Sequence, residues 1–406
     1  MSPPGAYDYP LADPTAATVV GTPELDRVAL PREIPIEEHD LTIFRDRQIP
    51  DVFWYEDTFR YSLAPQPDRA PLIFLIGGTN AGYNSRLSLS LQQAFYIAGF
   101  HVVSLSSPTY PNFMVTASTT GVPGRTSQDA ADLYRAMQRV LREVSGRVDV
   151  ADVYLAGYSL GGWQSAFVAA RDRDEQAIGL RKVLLINPPV SLYRSSAVLD
   201  RLLIDNLPGG IDNLGAFIDQ VLAKLTPLYQ RSQAVDFEQD FLYRAYVEAR
   251  PTRRELAALI GIAFRLSSAN IAFTADVLSR FGYIVPSDRT LSVSSSLTPY
   301  FDKSMRRGFG DYFEHLLYPY YQARNPALTQ DEMIVESSLE SIGDFLANAG
   351  NVGVVTNVDD IILAPEDLDF LRRVFGTRAT IFPSGGHCGN MNDRHVFAAM
   401  LRFLED

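Results

Sequence analysis

Val153-Tyr154-Leu155-Ala156-Gly157-Tyr158-Ser159-Leu160-Gly161-Gly162 joins a short apolar run to the start of a helix through a serine set between glycines. Such a run of strand-forming residues reads as a strand buried on both faces, as in a parallel sheet. A helix follows from Leu160 to about Arg171. A chain that passes from strand to helix so abruptly forces the serine into an unfavourable backbone conformation and lifts its hydroxyl off the sheet. Gly157-x-Ser159-x-Gly161 is a short pattern that recurs by chance, so its weight comes from this setting. The bland alternative is a glycine-rich strand-to-helix connection.

Working outward, Pro71 to Ile76 is another continuous apolar run, ending in Gly77-Gly78, and His101 to Leu105 is a third. Between them a helix is expected from about Ser85 to Ala98, stopped by Gly99. Ser127 is placed to cap a helix that carries Leu133, Met137, Leu141 and Val144 on one face. Lys182 to Asn187 supplies a further buried strand. Strands alternating with helices of this length imply a parallel sheet with right-handed crossovers. Val52 to Leu63 reads as an earlier strand, and residues 1–50, rich in Pro, Asp and Glu and without periodicity, read as an irregular arm.

The alternation stops at Pro188-Pro189 and resumes near Asn351. Between them Leu214, Phe217, Ile218, Val221 and Leu225 keep helical spacing, as do Leu256, Leu259, Ile260 and Phe264. Thr252 with Glu255, and Thr329 with Glu332, have the capping-box spacing. Residues 191–349 therefore read as a helical cap inserted into a core of residues 51–190 and 350–406. After it come a strand at Val352 to Thr356, a helix from Pro365 to Phe375 and a last strand at Thr380 to Phe382. The loop Pro383-Ser384-Gly385-Gly386-His387 and a closing helix from Asn392 to Leu404 follow.

A serine hydroxyl needs a base within hydrogen-bond reach to act as a nucleophile. Of five histidines, only His387 lies on a glycine-rich loop after a late strand; its alternative role is to cap the last helix. The imidazole in turn needs a carboxylate to fix its tautomer. Asp359 and Asp360 follow the strand ending at Thr356, on the same sheet edge and ahead of the histidine. The spacing of Asn357-x-Asp359-x-Ile361 favours Asp359, with Asp360 as the alternative acid.

Together these motifs resemble the α/β-hydrolase superfamily over Val52 to Pro189 and Asn351 to the C-terminus. The resemblance implies an α/β fold with a mostly parallel eight-stranded sheet flanked by helices. It also implies an oxyanion hole made by two backbone amides, Leu160 and a residue after the Ile76 strand, Gly78 or alternatively Thr79. The activity it implies is a serine hydrolase acting on a carboxylic ester, and the large apolar cap favours acyl or lipid-like substrates with medium or long chains over acetate. A thioesterase, acyltransferase or peptidase with the same triad is the enzymatic alternative, and a non-catalytic binding module the other.

Composition bounds the remainder. At 406 residues and 46% hydrophobic content the chain can bury a large core, and a net charge of -12 disfavours nucleic acid as a partner. The lone Cys388 reads as a packed small residue and rules out an intramolecular disulfide or a cysteine-rich metal site, and no cofactor or metal is expected. Apolar runs such as Ala257 to Phe264 fall short of the roughly 20 residues that cross a bilayer, and no secretory signal opens the chain as it stands. The expected partner is a small acyl substrate of a soluble protein, cytoplasmic or, if a leader has been removed, periplasmic.

Overall fold

A computed structural model describes residues 7–220, 223 and 241–405. Eight strands form one sheet: β1 (Glu37–Leu41), β2 (Phe59–Ala64), β3 (Ala70–Ile76), β4 (His101–Leu105), β5 (Val150–Tyr158), β6 (Leu180–Ile186), β7 (Val352–Asn357) and β8 (Ala379–Phe382). Their order is β1-β2-β4-β3-β5-β6-β7-β8. Strands β3 to β8 pair in parallel, whereas β2 is antiparallel to both β1 and β4. The mostly parallel, eight-stranded sheet flanked by helices is thus the expected one.

The helices among the described residues include α1 (Pro14–Val20), α2 (Arg86–Ile97), α3 (Thr126–Val144), α4 (Leu160–Glu175), α5 (Leu192–Ile204), α6 (Arg253–Ser279), α7 (Pro365–Phe375) and α8 (Arg394–Glu405). The strand period of two sends alternate side chains of β3 to opposite faces. Leu72, Phe74 and Ile76 enter one core with Leu133 and Met137 of α3, Trp163 and Val168 of α4 and Leu371 of α7. Ile73 and Leu75 enter the other, with Leu91 and Phe95 of α2 and Phe397 and Met400 of α8. Both faces of the sheet are therefore covered, which is why its strands read as continuous apolar runs rather than alternating ones.

Several local expectations are corrected. Residues 1–50 are not wholly irregular: Asp13 caps α1 by accepting the amides of Thr15 and Ala16, and β1 pairs along β2. The signals are weak because α1 is only seven residues long and β1 is an exposed edge strand without apolar alternation. The stretch from Val52 begins with a short 3-10 turn at Asp51–Phe53, and the strand proper starts at Phe59. Ser127 lies inside α3 rather than capping it; the preceding N-cap is Arg125, without a side-chain bond.

Between β6 and β7 the described residues are mostly helical, and both capping boxes form. Leu214, Phe217 and Ile218 join Leu203, Ala258 and Ile262 in one apolar cluster, while Val221 and Leu225 lie outside the described residues. Helix α6 corrects the estimate of apolar length. It runs 27 residues and is long and apolar enough, by length and composition, to cross a membrane, although 56% of its apolar window is buried inside the fold. In sequence the run is broken by Arg265, whose charge is buried here against Asp200 with Nη2 to Oδ1 at 3.1 Å. The helix packs against α1 and α5.

Candidate active site

The parallel strands end at one edge, and the candidate residues sit on the connections that leave it. Ser159 follows β5 directly and has φ 54° and ψ −125°, a conformation that non-glycine residues rarely adopt. The turn is held because a side chain at Gly157 would run into the Gly161 carbonyl at 2.2 Å, and one at Gly161 into the Ile76 carbonyl at 2.3 Å. These clashes explain the glycines on both sides of the serine.

Ser159 Oγ lies 2.9 Å from His387 Nε2. The other imidazole nitrogen, Nδ1, lies 3.0 Å from Asp360 Oδ1 and 3.1 Å from Asp360 Oδ2. The carboxylate that meets the histidine is therefore Asp360, and the preference for Asp359 is corrected. Asp360 is buried, and it also accepts from Asn187 Nδ2 at 2.9 Å and from the Ile362 amide at 3.2 Å. Asp359, half-buried, accepts the amides of Gly385 and Gly386 at 3.2 and 2.9 Å, so it shapes the histidine loop without touching the ring. Spacing could not separate neighbours on a tight turn, where a one-residue shift reverses the direction of the side chain.

Burial is the largest influence on His387 and pulls its pKa down. The adjacent Asp360 charge and hydrogen bond, with a contribution from Cys388, outweigh it and hold the imidazole well above the ordinary histidine value. Asp359 is pushed up by burial, against the two loop amides.

Three asparagines around this group were not anticipated. Asn187, just after β6 and at φ 46°, donates to Asp360. Asn357 at the end of β7 and Asn390 exchange amide hydrogen bonds of 2.9 and 2.7 Å, and Asn357 also donates to the Gly386 carbonyl at 2.7 Å. An asparagine closing an apolar strand was the signal available, since a buried amide must find partners.

The N-terminal segment holds the same loop from outside. The Thr18 hydroxyl accepts the His387 amide at 2.9 Å and donates to the Pro14 carbonyl at 2.7 Å. Tyr7 donates to the Ser384 carbonyl at 2.7 Å, while Tyr9 and Thr22 both donate to the Gly389 carbonyl at 3.0 Å. Cys388 Sγ is 3.8 Å from His387 Nε2. Of the other histidines, His101 is a buried strand residue bonded to the backbone of Gln66 and Asp149.

Near the serine, the buried Tyr158 hydroxyl meets Ser85 and Ser88 at 3.2 and 3.4 Å. Burial pushes the Tyr158 phenol up, against those hydrogen bonds. Thr79 and Leu160 line a narrow cleft roofed by Phe264 and Ile271 of α6 and by Phe309 and Tyr312. The cleft leaves about 40 Å³ for the centres of water-sized molecules. A single water needs roughly 10–15 Å³ on that measure, so the space suits a short chain.

No protein-family model matches the sequence, and no curated protein does. Among solved structures, the chain is similar to serine hydrolase CCSP0084 from the polyaromatic hydrocarbon-degrading bacterium Cycloclasticus zankles, at 13% identity and a TM-score of 0.44, over 91% of this chain and 98% of that one. It is similar to proline iminopeptidase from Mycobacterium smegmatis at 14% identity and 0.42, over 91% and 98%. Est1E from Butyrivibrio proteoclasticus gives 13% and 0.38, over 86% and 96%.

Proposed function

We infer that this chain, which has the α/β-hydrolase fold by the order and direction of its strands, is a serine hydrolase that cleaves a carboxylic ester through an acyl-enzyme. The observation that carries the reading is the continuous contact from Ser159 Oγ through His387 to Asp360, at 2.9 and 3.0 Å, with the serine on a strained turn.

In this reading His387 Nε2 removes the Ser159 proton as Oγ bonds to the substrate carbonyl carbon. Asp360 keeps the second proton on Nδ1 and offsets the imidazolium charge, and Asn187 holds Asp360 in place. The oxyanion is met by the Leu160 amide at the start of α4 and by a second backbone amide after β3, that of Gly78 or Thr79. One such donor contributes about 2.7–4 kcal/mol in other enzymes. Collapse of the tetrahedral intermediate breaks the ester C–O bond, and the imidazolium gives its proton to the leaving alkoxide. Water deprotonated by His387 then attacks the acyl carbon and releases the acid and free Ser159.

Residues 191–349 act in this reading as a cap, with α6 as the roof of the acyl cleft. In the conformation described the cleft supports a short acyl group, and the longer lipid-like chain anticipated from the cap's apolar composition requires α6 to withdraw. Hydrolysis of p-nitrophenyl esters from acetate to palmitate, beside acyl-CoA thioesters, tests the reading. Turnover that favours short acyl esters and vanishes in Ser159→Ala supports it; turnover retained in Ser159→Ala overturns it.

A further inference from the structure

Two of the polar side chains that line the cleft, Gln164 and Asp129, have no use in the hydrolytic chemistry above. Gln164, one helical turn beyond Leu160 on α4, is 1% exposed, and neither its Nε2 nor its Oε1 has a hydrogen-bond partner among the described residues. Asp129 of α3 is buried and lines the same cleft. It accepts the Gly124 amide at 2.7 Å. Burial pushes the Asp129 carboxyl well up, against that bond, which favours its neutral, donating form.

An unpaired primary amide inside an apolar wall is costly, and buried polar groups in folded proteins are nearly always satisfied. Among the described residues, the cleft lining holds no lysine, arginine or histidine. An anionic group would therefore enter without a counter-charge and beside a carboxyl. A purely hydrocarbon chain would leave the Gln164 donor and acceptor unmet.

Resting on the ester-hydrolase reading, we propose that Gln164 and Asp129 form a specificity site for an uncharged hydrogen-bonding group, of the carboxamide or hydroxyl kind, borne on a short acyl chain. The distance supports a short chain. Leu160 and Gln164 are separated by four residues of helix, about 6 Å of rise, so the polar group stands a few bonds beyond the reacting carbonyl.

The test compares p-nitrophenyl esters of the succinic, glutaric and adipic monoamides, each beside the ester in which isopropyl replaces the carboxamide. At the best length kcat/KM should favour the amide by about tenfold or more, since a site built to hydrogen-bond rejects an analogue that cannot. Gln164→Met, which keeps the length of the side chain without its amide, should bring that ratio to about one. Asp129→Asn, which keeps a neutral polar group, should retain the preference and serves as the second variant if Gln164→Met does not fold. Isopropyl esters hydrolysed as well as the amides at all three lengths, or a ratio unchanged in Gln164→Met, would overturn the proposal. Labelling of the wild-type protein by a fluorophosphonate separates the two levels. A labelled enzyme without the amide preference refutes the specificity site and leaves the hydrolase reading standing; absence of both labelling and turnover refutes both.

Discussion

Replacing Asp360 by Asn should cut kcat by about three to four orders of magnitude while the protein remains folded. In the wild type the Asp360 carboxylate faces three donors: the Nδ1–H of His387, the side-chain amide of Asn187 and the Ile362 amide. An Asn has one accepting oxygen and one donating nitrogen. Asn187 meets Oδ2 and the Ile362 amide meets Oδ1, so the single accepting oxygen of an Asn keeps one of them; where its nitrogen then faces His387, the ring must turn Nδ1 into an acceptor. Nε2 then carries the proton toward Ser159 Oγ and cannot remove another. The same substitution in a serine protease triad lowers kcat about 10⁴-fold, or about 5.5 kcal/mol of barrier. Asp359→Asn is the control, because Asp359 meets only the Gly385 and Gly386 amides in that loop. It should cost about 1–3 kcal/mol of stability through two weakened charged hydrogen bonds and change kcat much less. Steady-state hydrolysis of an activated ester, with thermal melting of both variants, gives the comparison. Asp360→Asn within tenfold of wild type, or Asp359→Asn as the more damaging change, would refute the assignment.

Because the His387 pKa is held above the ordinary value of 6.5, kcat/KM should rise with pH through a midpoint above 6.5, and an acid limb centred below it would contradict this. The linked stability has the opposite sign: the contribution of the charged imidazole is present in full below the unfolded pKa and lost as pH rises through the raised folded one, so the melting temperature should fall over the interval in which activity rises. Thr18→Val removes the hydroxyl that accepts the His387 amide and should lower kcat several-fold with little change in KM; Thr18→Ser should restore it, and failure of that rescue would mean that the methyl group, not the hydroxyl, matters. Arg265→Met strands Asp200 in the insertion and should cost about 3–5 kcal/mol in denaturant unfolding, with much of it regained when Asp200→Asn is added.

The core of the fold was legible because buried parallel strands advertise themselves as apolar runs: β3, β4 and β6 fall within two residues of where sequence places them. The serine and the histidine were legible for a related reason, since tight connections at the sheet edge demand glycines that can be read. What escaped notice depends on tertiary partners. α1 is too short for periodicity, and its value comes from Thr18 and the tyrosines before it reaching the histidine loop. The choice between Asp359 and Asp360 rests on which neighbour on a turn points inward, and the roles of Asn187, Asn357 and Gln164 on what surrounds an amide once buried. The apolar length of α6 was hidden by Arg265, because a single sequence does not reveal that Asp200 neutralises it.

In the proposed reaction everything depends on Ser159 being a nucleophile activated by His387. The most direct measurement is the site and stoichiometry of fluorophosphonate modification by peptide mass spectrometry, on the wild-type chain and on His387→Ala. One adduct per chain is expected, on Ser159, formed orders of magnitude more slowly in His387→Ala. An adduct on another residue, or equal labelling of the two proteins, would contradict it.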